Sequence, residues 1–246
     1  MENSISVVVI TYNEENTISN LLGDLAVQTH QDFEVILVDS NSEDQTIAVA
    51  QNASQQLREF SIIEMSDRGA SLGRNTGALA AKYERLLFLD SDVRIRPNFL
   101  KQSLEKLQQS GLKVAGGRMQ STVADWKVRL AVATFDYAMV LGKLGFPTAV
   151  GACIFSTRTV HRDINGFDTR IKLCEDCDYV KRASRSYRFA MLNVHFEFDV
   201  RRLTQDGLLR TGWVYLKANC HRLLKGELTN DQIPYTFGHY KQQSHH

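Results

Sequence analysis

Four short apolar runs, separated by amphipathic stretches, dominate the first half of the chain. The runs predict four strands, at residues 5–10, 35–38, 61–65 and 86–89. In the first two, nearly every side chain is apolar, so we predict that these strands are buried on both faces. Strands that alternate with helices at this spacing predict an α/β domain with a mostly parallel, open sheet flanked by helices.

Apolar positions three to four residues apart predict the intervening helices. The first is expected to open at Asn13 and the two acidic residues that follow it. Ser42 and Gln45 stand at capping-box spacing, so a second helix is predicted to start there. Residues 71–81 predict a third helix, and Gly111 is expected to end a fourth.

The second half of the chain is less regular. Its predicted elements are a helix at 125–143, a strand at 148–156, a helix at 175–187, a strand at 189–198 and a helix at 206–225. We see no internal repeat and no linker, which predicts a single domain over residues 1–246.

Composition excludes several classes of protein. The net charge of +1 gives no bulk electrostatic reason to expect nucleic acid as a partner. The first residues lack the basic segment of a signal peptide, and no apolar run reads as a membrane span, so a cytoplasmic location is expected. Cys174 and Cys177 have redox or zinc spacing but lack a second ligand pair, which favours a structural or incidental role.

Polar residues directly follow three of the predicted strands. In parallel sheets, ligands bind outside the carboxyl ends of the strands, so these residues are candidates for chemistry. They are Thr11, Tyr12, Asn13 and Glu14 after the first strand, Asp39, Ser40 and Asn41 after the second, and Asp90 to Asp92 after the fourth.

Asp90 and Asp92 lie two positions apart at the end of an apolar strand, so their carboxylates could project the same way. Two hard oxygen ligands suit a divalent cation that shares its other positions with water and phosphate oxygens. The alternative is a solvated acidic turn before the next helix. Asp39 has a similar pair of interpretations, as an acceptor for ribose or base groups or as a turn residue.

The segment from residue 68 to residue 77 is rich in small residues and carries Arg68 and Arg74, which suits close approach to an anion. It matches neither the dinucleotide-binding nor the P-loop pattern, which counts against both of those classes. Glu175 and Asp176 stand at a predicted helix start. They either pair with the helix dipole or supply the general base of a group transfer.

Taken together, five of these segments resemble, in order and at ordinary distances, the motifs of the family-2 glycosyltransferases with the GT-A fold. The segments are residues 7–15, 34–44, 73–77, 89–92 and 175–176, and the resemblance extends over about residues 5–195. In place of the further acid that often follows the family's D-x-D motif, this chain has Val93.

The resemblance implies an inverting single displacement, assisted by Mg²⁺ or Mn²⁺, from a UDP- or GDP-type sugar donor to a hydroxyl acceptor. It implies a nucleotide-binding half of about residues 1–119 and an acceptor-binding half of about residues 120–246. Saccharide or lipid-linked acceptors would place the reaction in cell-surface polysaccharide or glycolipid biosynthesis. The implied roles are Thr11, Tyr12, Asn13, Glu14, Asp39 and Arg74 around the nucleoside, Asp90 at the ribose or a metal-bound water, Asp92 on the metal, Asp176 as the base and Glu175 at the acceptor.

Two further features have competing interpretations. His195 is a candidate metal or phosphate contact, or a core residue of an apolar run. The predicted helix at 206–225 combines an apolar stripe with basic residues. Such a helix either packs in the core or makes a contact with the inner membrane surface or a second subunit of a homodimer.

Two other functions compete with sugar transfer. One is a catalytically silent nucleotide-sugar binding protein, against which the joint presence of Asp92 and Asp176 argues. The other is a sugar-phosphate nucleotidyltransferase, which would usually open with a Gly-rich basic loop that the segment after the first strand lacks.

Overall fold

Eight strands and seven helices build the described part of the chain, which in this computed structural model covers residues 4–121, 123, 125–142, 148–149, 151–171 and 173–198. The strands are β1 (Ile5–Thr11), β2 (Phe33–Asp39), β3 (Phe60–Glu64), β4 (Arg85–Asp90), β5 (Val93–Ile95), β6 (Val114–Gln120), β7 (Cys153–Thr157) and β8 (Phe189–Phe198). The helices are α1 (Ile18–Ala26), α2 (Thr46–Ala53), α3 (Ala70–Ala80), α4 (Phe99–Ser110), α5 (Trp126–Gly142), α6 (Arg158–Asp163) and α7 (Glu175–Ala183).

All eight strands form one sheet in the order β3-β2-β1-β4-β7-β6-β8-β5. The first four strands in that order pair in parallel, and β6 pairs in parallel with β8. The antiparallel pairs are β4 with β7, β6 with β7, and β5 with β8. The α/β class with a mostly parallel sheet is therefore confirmed, and the antiparallel pairs make it a mixed one. The predicted boundary between the two halves, at residue 119, falls inside β6.

Side chains from β1 alternate between two apolar layers, one on each face of the sheet. Val7 and Val9 belong to the layer that includes residues of α1 and α4, whereas Val8 belongs to the layer beneath α3. On that second face α3 lies very close, because a Cβ added at Gly77 would be 2.3 Å from Val8 Cγ1. Burial on both faces explains why the run is continuously apolar.

Both predicted helix starts near the first two loops are wrong. Helix α1 begins at Ile18 rather than Asn13, and the backbone N–H of Glu14 donates to Thr46 Oγ1 over 2.8 Å. Helix α2 begins at Thr46, whose N–H donates to Asp44 Oδ1 over 2.9 Å, whereas Ser42 Oγ accepts the Asn13 N–H instead. Polar side chains that resemble caps in sequence are used here to join two loops, which local spacing does not reveal.

Elsewhere the sequence predictions agree with the structure to different degrees. Helix α3 and strand β8 are confirmed, and Gly111 ends α4 in the left-handed conformation with φ 65°. Strand β7 is shorter than expected, and β5, β6 and α6 were missed. Two glycines weaken the strand pattern of β6. The predicted helix at 206–225 lies outside the described residues.

Aromatic side chains from β4, from α7 and from the loop before α7 pack around a partly buried histidine. Phe88, Phe167 and Tyr179 have ring centroids 4.1 to 6.1 Å from one another, and His161 lies within 6.0 Å of each. The Tyr179 hydroxyl is 3.3 Å from His161 Nδ1. Burial, together with the charge of Arg182, lowers the pKa of His161 to about 4.

We expect His161 to make the fold acid-sensitive. Its pKa falls from 6.5 to about 4 on folding, so its contribution to stability is complete above pH 6.5 and is lost as the pH falls through that window. At about 1.4 kcal/mol per pKa unit, the loss is about 3 kcal/mol. Denaturant unfolding between pH 4 and pH 7 should show a flatter profile for His161→Gln than for the wild type. His30→Gln, outside the cluster, should keep the wild-type slope, and parallel profiles for all three proteins would contradict the expectation.

Candidate active site

The candidate residues after β1, β2 and β4 lie at one edge of the sheet. Thr11 pairs with Asp39 across the parallel β1–β2 ladder, and Ile10 pairs with Asp90 across β1–β4. The first two loops also join directly, because Ser40 N–H donates to the Thr11 carbonyl over 2.9 Å. The prediction that these strand ends converge is confirmed.

A short network ties the first two of these loops together. Asp39 is buried, and its carboxylate accepts bonds from the Ser42 backbone N–H at 2.8 Å and from the Ser42 hydroxyl at 2.5 Å. The same hydroxyl accepts the Asn13 N–H at 2.9 Å, while Asn13 Oδ1 accepts the Glu43 N–H at 2.8 Å. Asn13 has φ 53°, a conformation that asparagine tolerates. Asn13 and Asp39 therefore shape the loops, whatever ligand they contact.

Tyr12 and Glu14 complete this part of the edge. The guanidinium carbon of Arg68 lies 4.5 Å from the centroid of the buried Tyr12 ring, and Arg68 also pairs with Glu43. The Glu14 carboxylate is buried and accepts the Thr17 hydroxyl. The proposed nucleoside contacts of Tyr12 and Glu14 stay predictions.

Three hydroxyl groups near this edge are buried without a hydrogen-bond partner in the described part of the chain. They are Thr11 Oγ1, Ser40 Oγ and Ser71 Oγ. Most buried polar atoms in proteins are hydrogen-bonded to protein or water, so we expect these unsatisfied hydroxyl groups to bond to a polar ligand or to water. The sequence placed Thr11 and Ser40 among the polar residues that follow strands, but it did not single out the hydroxyl of Ser71, which has no distinguishing pattern.

Arg74, from the middle of α3, is buried between two carboxylates. Its Nη2 donates to Asp90 Oδ1 and its Nη1 to Glu175 Oε1, each over 2.8 Å, and the guanidinium lies 5.3 Å from the Phe167 ring. Burial alone would lower the pKa of Arg74, but Asp90 and Glu175 outweigh it and raise that pKa. The structure thus brings Arg74 to Asp90 and Glu175.

Glu175 and Asp176 form the first turn of α7, as predicted. Cys174 precedes them in the left-handed conformation with φ 63°. Asp176 Oδ2 accepts the Gly151 N–H at 2.5 Å, and Asp176 Oδ1 accepts the N–H of Cys177 at 2.7 Å. Burial raises the pKa of both acids, against the opposing charge of Arg74. A carboxylate with a raised pKa is a stronger base, which is what proton abstraction requires.

Gly151 is a site residue that sequence reasoning missed. A Cβ placed there would be 2.7 Å from Arg74 Nη2 and 3.3 Å from Asp176 Cβ. The glycine therefore leaves room for the guanidinium and the carboxylate to lie against the backbone. A lone glycine outside a recognised motif gives no signal of this role.

The candidate metal ligands lie on different elements. Asp90 ends β4, whereas Asp92 occupies the turn before β5, so strand alternation does not set their relative direction. His195 is in register with Arg118 of β6. Burial and the charge of Arg118 lower the pKa of His195. The charge of Asp136 acts in the opposite direction, and that of Arg96 lowers the pKa further.

Among the described residues, no group of three or more His, Cys, Asp or Glu side chains could hold a metal ion. Two carboxylates would leave a cation open to phosphate oxygens, which fits a substrate-shared site better than a structural one. Cys174 and Cys177 are both buried as reduced thiols, in keeping with a structural role. In the same residues, no helix is long and apolar enough to cross a membrane.

Comparison with known proteins adds evidence independent of this geometry. The family model described as "Glycosyl transferase family 2" matches residues 6–165, more than half of the 246 residues. The chain is 33% identical over 101 residues to the putative glycosyltransferase EpsH of Bacillus subtilis, covering 41% of this chain and 29% of EpsH. It is 38% identical over 101 residues to the poly(ribitol-phosphate) beta-N-acetylglucosaminyltransferase TarS of Staphylococcus aureus, covering 40% and 18%. Each match spans less than a third of the relative's length.

Solved structures share the fold. The mannosyltransferase PcManGT from Pyrobaculum calidifontis, in complex with GDP-Man and Mn²⁺, has a TM-score of 0.71 at 20% identity, covering 87% of this chain and 60% of that chain. Residues 1–349 of TarS from Staphylococcus aureus, in complex with UDP-GlcNAc, have a TM-score of 0.65 at 22% identity, covering 79% and 58%. Likeness at these identities confirms the fold class.

Proposed function

The chain belongs to glycosyl transferase family 2, and we propose on that premise that it transfers a sugar from a UDP- or GDP-type donor to a hydroxyl acceptor, with inversion. The observation that supports this most directly is the convergence of Asp90 and Glu175 on the single guanidinium of Arg74. It brings the carboxylate at the end of β4 next to the acidic turn of α7, as a site that joins donor and acceptor requires.

Asp176 acts in this proposal as the general base. It takes the proton of the acceptor hydroxyl as that oxygen bonds to the anomeric carbon, while the bond from that carbon to the diphosphate breaks and the nucleoside diphosphate leaves. The backbone N–H groups of Gly151 and Cys177 hold the carboxylate in one orientation, and its raised pKa favours proton uptake. Glu175, beside it and bonded to Arg74, lies on the acceptor side.

The nucleoside is proposed to lie over the loops after β1 and β2. The orphan hydroxyls of Thr11, Ser40 and Ser71 supply polar groups there that have no other partner in the described chain. The Tyr12 ring and the Asp39 carboxylate border the same region, at the carboxyl edge where α/β sheets bind ligands.

Asp92 and Asp90 are proposed to hold Mg²⁺ or Mn²⁺, since carboxylate oxygens suit both cations. When bound, the cation offsets the negative charge that develops on the departing nucleoside diphosphate. The solved mannosyltransferase with GDP-Man and Mn²⁺ supports the same pairing of donor and cation. His195 is kept as a further candidate ligand.

The acceptor and the cellular setting are proposed from chemistry and from the relatives. TarS is named for poly(ribitol-phosphate), which supports a cell-surface polymer, saccharide or lipid-linked hydroxyl as the acceptor class. A cytoplasmic location, with peripheral membrane or homodimer contacts through residues 206–225, suits such acceptors.

A thermal-shift panel of UDP-, GDP-, dTDP- and CDP-sugars, with and without Mn²⁺, tests the proposal. At about 100 times Kd, a bound donor adds about 2.7 kcal/mol, which raises the Tm of a chain of this size by roughly 5–10 °C. We expect one donor to stand out only with the cation, and that donor to be hydrolysed slowly. Binding without hydrolysis would favour a silent binding protein. Pyrophosphate release from a nucleoside triphosphate would favour a nucleotidyltransferase.

A further inference from the structure

Arg74 is almost completely buried behind two carboxylates. Its side chain is 2% exposed, whereas the side chains of Glu175 and Asp90 are 16% and 34% exposed. Both terminal nitrogens are bonded to protein carboxylates. Of these three side chains, Asp90 is therefore the one most open to a ligand, and Arg74 lies behind it.

The guanidinium joins segments that are far apart in sequence. Asp90 lies 16 residues from Arg74, and Glu175 lies 101 residues away. The neighbouring Asn75 reinforces the link, because its side-chain amide donates to the Phe167 carbonyl and accepts the Phe167 N–H, each over 2.8 Å. Two consecutive residues of α3 thus hold both the first turn of α7 and the loop before it.

The backbone of Gly151 packs against both Arg74 and Asp176. Gly151 donates its N–H to Asp176 and leaves no space for a Cβ beside Arg74 Nη2. Glu175 is bonded to the guanidinium, and Asp176 is bonded to Gly151. Movement of Arg74 would therefore release Glu175 and unsettle the turn that carries Asp176.

From this geometry we propose that Arg74 is a positioning residue that fixes the Glu175–Asp176 turn against the end of β4, and that it does not bind the donor. The inference rests on the proposed function, because it concerns the base of that reaction. It replaces the nucleoside contact that the family resemblance implied for Arg74. Its remaining donor, Nε, is buried without a partner in the described chain, so contact of that atom with the donor is the competing interpretation.

The test separates binding from turnover in the wild type, Arg74→Met and Arg74→Lys. Calorimetry in the presence of Mn²⁺ gives the Kd of UDP, or of GDP if the thermal-shift panel selects a GDP-sugar. Transfer assays give kcat. We expect Arg74→Met to lower kcat by about 100-fold, the scale of a 1 Å misplacement, with Kd changed less than about threefold. Arg74→Lys should recover part of the loss, since it keeps the charge but cannot form the fork.

Glu175→Gln keeps the test decisive even if Arg74→Met does not fold. It should lower kcat and spare Kd in the same way, and adding Arg74→Lys should cost little more, because both changes disrupt one linkage. If Arg74→Lys weakened nucleotide affinity by the same factor by which it lowered kcat/KM, the proposal would be overturned. It would also be overturned if the losses in kcat caused by Arg74→Lys and Glu175→Gln were fully additive. If the wild type transferred no sugar from any donor, the proposed function would fail instead.

Discussion

We expect Asp176→Asn to lower the rate of sugar transfer by roughly 10²- to 10⁴-fold, the usual contribution of a positioned general base. The amide keeps the shape of the carboxylate and an oxygen that accepts the Gly151 N–H, but it cannot take the acceptor's proton. Donor binding should stay near the wild-type level, because Asp176 bonds to Gly151 and Cys177 in the described structure. Single-turnover kinetics with the preferred donor, alongside its Kd, measures both quantities.

The matched control for this variant is Asp168→Asn. Asp168 lies in the loop before α7, and its carboxylate pairs with the exposed Arg170. Its replacement should leave the rate within about twofold of the wild type, as for most surface changes. Equal rates for Asp176→Asn and the wild type would remove Asp176 from the role of base.

We expect Asp92→Asn to remove most of the dependence on the divalent cation and to lower transfer by roughly 100-fold or more, because a bound cation would supply several kcal/mol of stabilisation to the departing diphosphate. The Mn²⁺-dependent part of the donor-induced Tm shift should disappear in this variant. Chelation of the cation from the wild type should produce the same two losses. Titration of Mn²⁺ against a fixed donor concentration, read by Tm and by rate, measures the effect.

Asp163→Asn is the control for the cation experiment, since Asp163 is an exposed carboxylate at the end of α6. In a titration with Mn²⁺, the Tm and the transfer rate of this variant should respond as those of the wild type do. A normal Mn²⁺ response in Asp92→Asn would contradict the proposed ligand, and persistence of full activity after chelation would contradict a cation-assisted reaction altogether.

The strands of the first half were predictable because burial on both faces demands continuous apolar runs, and β1, β2 and β4 have them. Helix starts were less predictable. Asn13 and Ser42 have the composition of caps, yet they bond to each other across 29 residues. Local spacing cannot distinguish a cap from a contact between loops, because both use the same short polar side chains.

Within the site, prediction succeeded where a local rule applied. The carboxyl ends of parallel strands lie at one edge of a sheet, so the sequence alone places Thr11, Asp39 and Asp90 together, as the structure does. The same rule says nothing of Gly151, whose importance comes from the atoms that surround it. Ser71 was missed for the same reason, since only burial leaves its hydroxyl without a hydrogen-bond partner in the described chain.

The amino-acid sequence by itself determined the α/β class, the edge at which chemistry is expected and the carboxylates available for it, because periodicity and motif order are properties of the chain. Tertiary structure alone decided the partners of those carboxylates. Arg74 meets Glu175 across 101 residues of sequence, and the pKa of Asp176 is raised because folding buries it. Burial and long-range pairing depend on how the elements pack, so no local pattern could have assigned Arg74 to the acidic turn of α7.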